Sequence, residues 1–157
     1  MSEGTTAAGN GSSNGSDTHQ FALQALYVKD LSFESPNSPA IFAGKLGESD
    51  IDLNIQSRYA TLGDDNHEVV LNVTAHARAD DRTLFLVEVQ QAGIFTIRGY
   101  DDAERKRLLG SYCPQTLFPF AREAVSSAVS RGGFPPVVLQ PVNFDALYAR
   151  SLEESAA

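Results

Sequence analysis

The sequence predicts an α+β domain: a four-stranded antiparallel sheet with a long kinked helix and a short C-terminal helix on one face. Three observations lead there. Apolar residues recur with a period of two as far as Gln91, the spacing of strands buried on one side and wet on the other. From Asp101 onward the spacing becomes that of an amphipathic helix. The strand-rich half also precedes the helical half entirely, which is the order of an α+β chain.

Residues 1–20 are read as a disordered tail, because a run of Gly, Ser, Thr, Asn and Ala buries too little to offset ordering entropy. In the first strand Phe21, Leu23, Ala25, Tyr27, Leu31 and Phe33 are expected on one face, opposite Gln24, Asp30, Ser32 and Glu34. The segment Ser35-Pro-Asn-Ser-Pro-Ala-Ile-Phe is stiffened by proline and too long for a tight hairpin, so it should cross the sheet or its edge. Ile51, Leu53 and Ile55 mark the second strand, and Val69, Leu71, Val73 and Ala75 the third. Phe85, Val87 and Val89 continue the buried face in the fourth, which places Leu84 and Leu86 on the wet face beside Glu88. Gly63-Asp-Asp-Asn and Asp80-Asp-Arg read as hairpin turns.

Asp101-Asp-Ala-Glu starts the long helix, with acidic residues at the positive end of its dipole. Leu109, Tyr112, Leu117, Phe120, Ala124 and Ala128 form its apolar stripe, Pro114 and Pro119 favour a kink or a fresh start, and Gly132-Gly133 stops it. Asn143 caps the final helix, and residues 153–157 are expected to form a flexible tail, leaving 21–152 as one domain.

Composition narrows the function. The chain has 157 residues and a 42% hydrophobic fraction, enough for a core, with a net charge of −8. A nucleic-acid partner is disfavoured, since phosphate contacts need a basic face. Cys113 is the single cysteine, so no internal disulfide forms, and no signal-peptide pattern or long apolar run is present. A cytoplasmic protein that does not insert into membranes is expected.

Catalytic patterns fail individually. Gly11-Ser-Ser-Asn-Gly resembles a nucleophile elbow but follows no strand, and Gly44-Lys45 lacks the glycine spacing of a phosphate-binding loop. His19, His67 and His76 are scattered without metal-ligand spacing, and Cys113 lies in an apolar helix. No enzyme, cofactor or metal site is predicted. Asp30 and Glu34 stand about 13 Å apart along a strand, too far for a paired acid and base. They read better as an acidic patch with Asp50, Asp52, Glu68 and Glu88.

Tyr27-Val-Lys-Asp-Leu-Ser-Phe-Glu-Ser-Pro-Asn, Glu68-Val-Val-Leu, Glu88-Val-Gln-Gln-Ala-Gly-Ile-Phe and Gly110-Ser-Tyr-Cys-Pro-Gln-Thr-Leu-Phe-Pro-Phe-Ala-Arg-Glu resemble, in order, the SecB family of protein-export chaperones. Ala92 stands where that family usually has glycine. The resemblance implies a homotetramer, a dimer of dimers in which sheets join edge to edge and enclose the long helices. It implies an ATP-independent chaperone that holds unfolded preproteins in apolar grooves and passes them to the motor SecA.

For the groove lining the sequence points to Phe33, Ile41, Phe42, Phe95, Tyr112 and Phe118, because promiscuous binding calls for adaptable aromatic and aliphatic surfaces. SecA docking maps by resemblance onto Asp30, Glu34, Leu86 and Glu88. The family's SecA partner brings a small basic C-terminal segment carrying zinc, so the zinc belongs to the partner. The alternatives are a SecB-like chaperone dedicated to one client, such as an antitoxin, and an oligomeric scaffold that binds no clients.

Overall fold

The computed structural model describes residues 19–45 and 47–156. Strands β1 (Gln20–Glu34), β2 (Ser49–Gly63), β3 (Asn66–Ala79) and β4 (Arg82–Arg98) form one antiparallel sheet in the order β1-β4-β3-β2. α1 (Asp102–Arg107), a π-helical segment (Leu108–Tyr112) and α2 (Cys113–Arg131) run on as one helix of 30 residues, and α3 (Phe144–Ala156) follows. The expected architecture is the observed one.

Both hairpins turn at aspartate pairs. Asp64 and Asp65 have φ of 51° and 64°, and Asp80 and Asp81 have 51° and 60°. Positive φ at both central residues is the primed turn whose twist suits a hairpin, and aspartate tolerates it better than most side chains. β1 and β2 lie at opposite edges of the sheet, so their connection must span the width of two intervening strands. It passes on the helix side: Asn37 Nδ2 donates to Thr83 O at 2.9 Å, Ser35 Oγ donates to Leu84 O at 3.3 Å, and Ile41 enters the core.

β1 departs from simple alternation. Its register against β4 slips between Leu23 and Ala25, and again between Val28 and Asp30. Each slip inserts one extra residue and turns the following side chains to the other face. Two slips cancel, so Phe21 and Leu23 share the helix-side face with Leu31 and Phe33. Ala25 and Tyr27, expected with them, instead lie on the open face, and Leu26 and Val28 take the helix side. A third slip, in β4 beside Ala77 and Arg78, corrects the expectation for Leu84. It is 5% exposed and packs in the core. Leu86 alone of that pair stays on the open face.

Asp101 caps the long helix, its carboxylate accepting from the Glu104 amide at 2.8 Å. The helix does not restart at Pro114. It widens into the π segment just before that residue, where proline's missing N–H breaks the regular ladder. Its end shows why two glycines stand in sequence. Gly133 has φ of 89°, and the Phe134 and Gly133 amides donate to Val129 O and Ser130 O at 3.2 and 3.1 Å, a Schellman closure. Gly132 has an ordinary φ, but a Cβ there would lie 2.1 Å from Phe33 Cζ.

The buried seam of the helix is Leu109, Cys113, Leu117, Ala121, Val125 and Val129, set against Val69, Leu71, Val73, Val87, Val89 and Phe95. Tyr112 and Phe120, predicted in that seam, are exposed, and Ala124 and Ala128 are half-buried at its flank. A row spaced by four winds slowly around the helix and follows the twist of the sheet, which a single average stripe does not. The Asn143 side chain caps α3, accepting from the Ala146 amide at 3.0 Å. α3 continues to Ala156, past the boundary expected at Leu152, and β1 begins at Gln20, inside the expected tail. Residues 1–18 and Ala157 lie outside the described residues.

Candidate functional site

The helix covers β3 and β4 and leaves both outer strands overhanging. On β1, Leu23, Leu26, Val28 and Leu31 face the helix side and remain exposed; on β2, Ile51, Leu53 and Tyr59 do the same. Alternation alone assigned Ile51 and Leu53 to the buried face. Nothing in their spacing says that one helix is too narrow to cover four strands. Between β2 and α3 lies a groove of about 660 Å³, walled by Ile55, Tyr59, Phe144, Leu147 and Leu152.

The six residues expected to line a groove divide sharply. Phe42 is 50% and Tyr112 51% exposed, while Ile41, Phe95 and Phe118 are 1%, 0% and 5% exposed and belong to the core. Phe33 is half-buried. Tyr112 and Phe42 sit at opposite ends of the β1 overhang. Tyr112 meets Phe21 edge-on at 5.1 Å between ring centroids. At the other end Phe33 stacks on Phe85 at 5.9 Å, Phe85 meets Phe134 at 5.2 Å, and Phe134 meets Phe42 at 5.2 Å. Phe95 packs against Phe21 at 5.6 Å, beneath the Tyr112 end, whereas Phe118 meets Phe144 of α3 at 5.7 Å, away from the β1 overhang.

The open face of the sheet is polar. Register sets Ser32 against Glu88, Glu34 against Leu86 and Asp30 against Gln90, which brings Asp30, Glu34, Leu86 and Glu88 onto one patch at the β1 edge. Asp30 and Glu34 are exposed, Leu86 and Glu88 half-buried. None of the three carboxylates joins an ion pair among the described residues. Beside them Tyr27 and Lys29 both reach over β4 to Glu68 of β3, Tyr27 OH donating to Oε2 and Lys29 Nζ lying 2.8 Å from Oε1. The Lys29 and Tyr27 hydrogen bonds hold the Glu68 carboxyl below its usual range. Burial, then the bond to Glu68, pushes Tyr27 up to about 12.

Burial pushes the Cys113 thiol up, which keeps it protonated and unreactive. Among the described residues no three His, Cys, Asp or Glu side chains gather as metal ligands, and no helix is long and apolar enough to cross a membrane. His76 bridges Thr83 Oγ1 at 2.8 Å and Arg78 at 3.2 Å on the open face.

Comparison with known proteins gives this geometry its setting. The family model described as preprotein translocase subunit SecB matches residues 14–155. The chain belongs to the SecB family. It is 53% identical over 134 residues to the protein-export protein SecB of Methylococcus capsulatus, covering 85% of this chain and 86% of that one. To the SecB of Marinobacter nauticus it is 44% identical over 153 residues, 98% of this chain and 90% of the relative. A SecB-like chaperone of Mycobacterium tuberculosis, solved with a ChAD peptide from an antitoxin, shares the fold at a TM-score of 0.53 and 16% identity, covering 78% of this chain and 87% of the other. SecB is a family of export chaperones rather than enzymes, and the chain is a protein-export chaperone by that membership.

Proposed function

We propose that this chain is an ATP-independent chaperone that binds unfolded preproteins on its helix-side overhangs and delivers them to SecA through the open face. The observation that carries the reading is the division of labour between the two faces of one sheet. The helix side exposes aliphatic and aromatic residues in stripes, and the open side gathers unpaired carboxylates around Leu86.

Client binding falls to Phe33, Phe42 and Tyr112, extended along β1 by Leu26 and Val28 and across the sheet by Ile51 and Leu53. Extended segments of unfolded chain suit such stripes, because apolar contact does not depend on sequence. Burying some 400 Å² of client apolar surface would yield on the order of 10 kcal/mol before ordering costs. Net affinity per site is therefore modest, and several sites on one assembly must act together. A homotetramer supplies them. It also shields the open edges of β1 and β2, whose long rows of unpaired backbone groups otherwise invite aggregation. A cytoplasmic location goes with this role.

Asp30, Glu34, Leu86 and Glu88 form the docking surface for the basic, zinc-bearing C-terminal segment of SecA, by charge complementarity around an apolar centre. A calorimetric titration with the zinc-loaded SecA peptide tests this. The double variant Glu34→Lys/Glu88→Lys should lose most of the binding while still capturing unfolded preprotein. Equal binding by the variant would remove the docking assignment. Absence of binding by the unaltered chain, with capture of one client alone, would favour the dedicated-chaperone reading.

A further inference from the structure

We propose that Glu68 is a positioning residue for the docking face, drawing the Lys29 ammonium away from Asp30 so that the acidic patch stays free for a basic partner. The inference rests on the docking role proposed above. Its basis is the second β1 bulge, where Lys29 is the extra residue and both Lys29 and Asp30 stand against Gln90. Asp30 follows Lys29 directly, is exposed and makes no ion pair among the described residues. The lysine nevertheless reaches across β4 to Glu68 on β3, at 2.8 Å.

Three features hold Glu68 to that task. The Glu68 side chain is only 19% exposed, less than half the exposure of Lys29 at 41%. Tyr27 OH donates to its second oxygen and occupies the side that Lys29 does not. Ala92, directly opposite Tyr27 on β4, is small enough for both long side chains to pass over. The carboxyl stays ionised and the phenol stays protonated, each stabilising the other's state.

The effect on docking runs through Lys29. Glu68 and Asp30 lie four residues along and two strands across, about 16 Å apart in ideal strand geometry. That exceeds the roughly 8–10 Å over which exposed charges interact at physiological salt. Loss of the Glu68 charge alone is therefore screened at the patch, whereas a released lysine can fold back onto Asp30 and compete with the incoming partner.

Titration of the zinc-loaded SecA C-terminal peptide into the assembled protein tests this at about 0.15 M salt. Glu68→Gln should weaken docking about threefold, the scale of an exposed ion pair. Lys29→Met added to Glu68→Gln should restore it. Asp65→Asn removes a carboxylate from a different ion pair, with Arg98 at 3.0 Å, and should leave docking unchanged despite the equal change in charge. Tyr27→Phe, which keeps the ion pair, should do the same. The proposal is overturned if Glu68→Gln docks like the unaltered chain, if it loses no more than Asp65→Asn, or if the double variant stays as weak as the single one. Any of these, with the unaltered protein still binding and Glu34→Lys/Glu88→Lys still failing, would leave the docking face standing and remove only the role of Glu68.

Discussion

Alanine placed at Gly132 and at Gly133 should destabilise the protein for different reasons, and the difference is measurable. At Gly132 the backbone is ordinary, with φ of −75°, but the new Cβ would meet Phe33 Cζ at 2.1 Å and Cε1 at 2.5 Å. Carbon atoms rest at about 3.5–4.0 Å, so the Phe33 ring must swing off Phe85. Overpacking of this kind costs about 1–3 kcal/mol, offset by the roughly 0.4–1 kcal/mol that replacing glycine removes from unfolded-chain entropy. A net loss of about 0–2.6 kcal/mol, centred on ~1.3, follows. At Gly133 the space is easier, 3.1 Å to Phe42 Cζ, but φ is 89°, and a side chain there costs about 1–2 kcal/mol in backbone conformation alone. Urea unfolding at one fixed protomer concentration, needed because assembly contributes to stability, gives both values. The decisive measurement repeats them in shortened backgrounds. Gly132→Ala should become nearly free of cost once Phe33 is alanine, whereas Gly133→Ala should keep most of its cost when Phe42 is alanine. If Gly132→Ala costs as much without the Phe33 ring as with it, the steric account of that position is wrong.

Other expectations bear on the core, pH and the client surface. Leu117→Ala, at a fully buried seam position, should cost about 2–5 kcal/mol in the same urea assay. His67 is buried with Thr61 Oγ1 at 3.0 Å, and burial followed by the Arg105 guanidinium lowers its pKa from 6.5. The neutral ring is thus the folded form, so its contribution is whole above that value and is lost as pH falls below it. His67→Phe should flatten that part of the acid limb in thermal melts taken down to about pH 5; an unchanged limb would contradict the assignment. Phe42→Ser/Tyr112→Ser should weaken capture of an unfolded preprotein, read by anisotropy, while sedimentation still reports the assembled, folded protein. Both rings are half exposed, so loss of folding would count against the surface role.

The sequence by itself determined the number, order and type of elements, because those rest on local signals. Period-two alternation, aspartate pairs at the turns, Asp101 and Asn143 as caps and paired glycines at a helix end each act within a few residues. It also determined the family, through four motifs in order, but the acidic patch it suggested is divided: Asp50 and Asp52 stand on β2, at the opposite edge of the sheet from Asp30 and Glu34. Asp30 and Glu34 lie four apart on one strand, and Leu86 and Glu88 two apart on the next. Bulges decided what alternation could not. An added residue costs one strand little and reverses the facing of every side chain beyond it, which is why Tyr27 crossed to the open face and Leu84 entered the core.

Exposure was decided only by the tertiary structure. Ile51 and Leu53 have the same local pattern as Val73 and Val89, yet the latter pair is buried and the former is not. The difference is that one helix is narrower than four strands, and width is a property of the packed layers. The helix likewise settled on the row from Leu109 to Val129 and turned Tyr112 outward, since a row spaced by four follows the twist of the sheet beneath it. The meeting of Lys29 with Glu68 required a bulge, a small residue at Ala92 and the strand order β1-β4-β3 together. Contacts of this kind join residues 39 positions apart, and only the folded sheet brings them within reach.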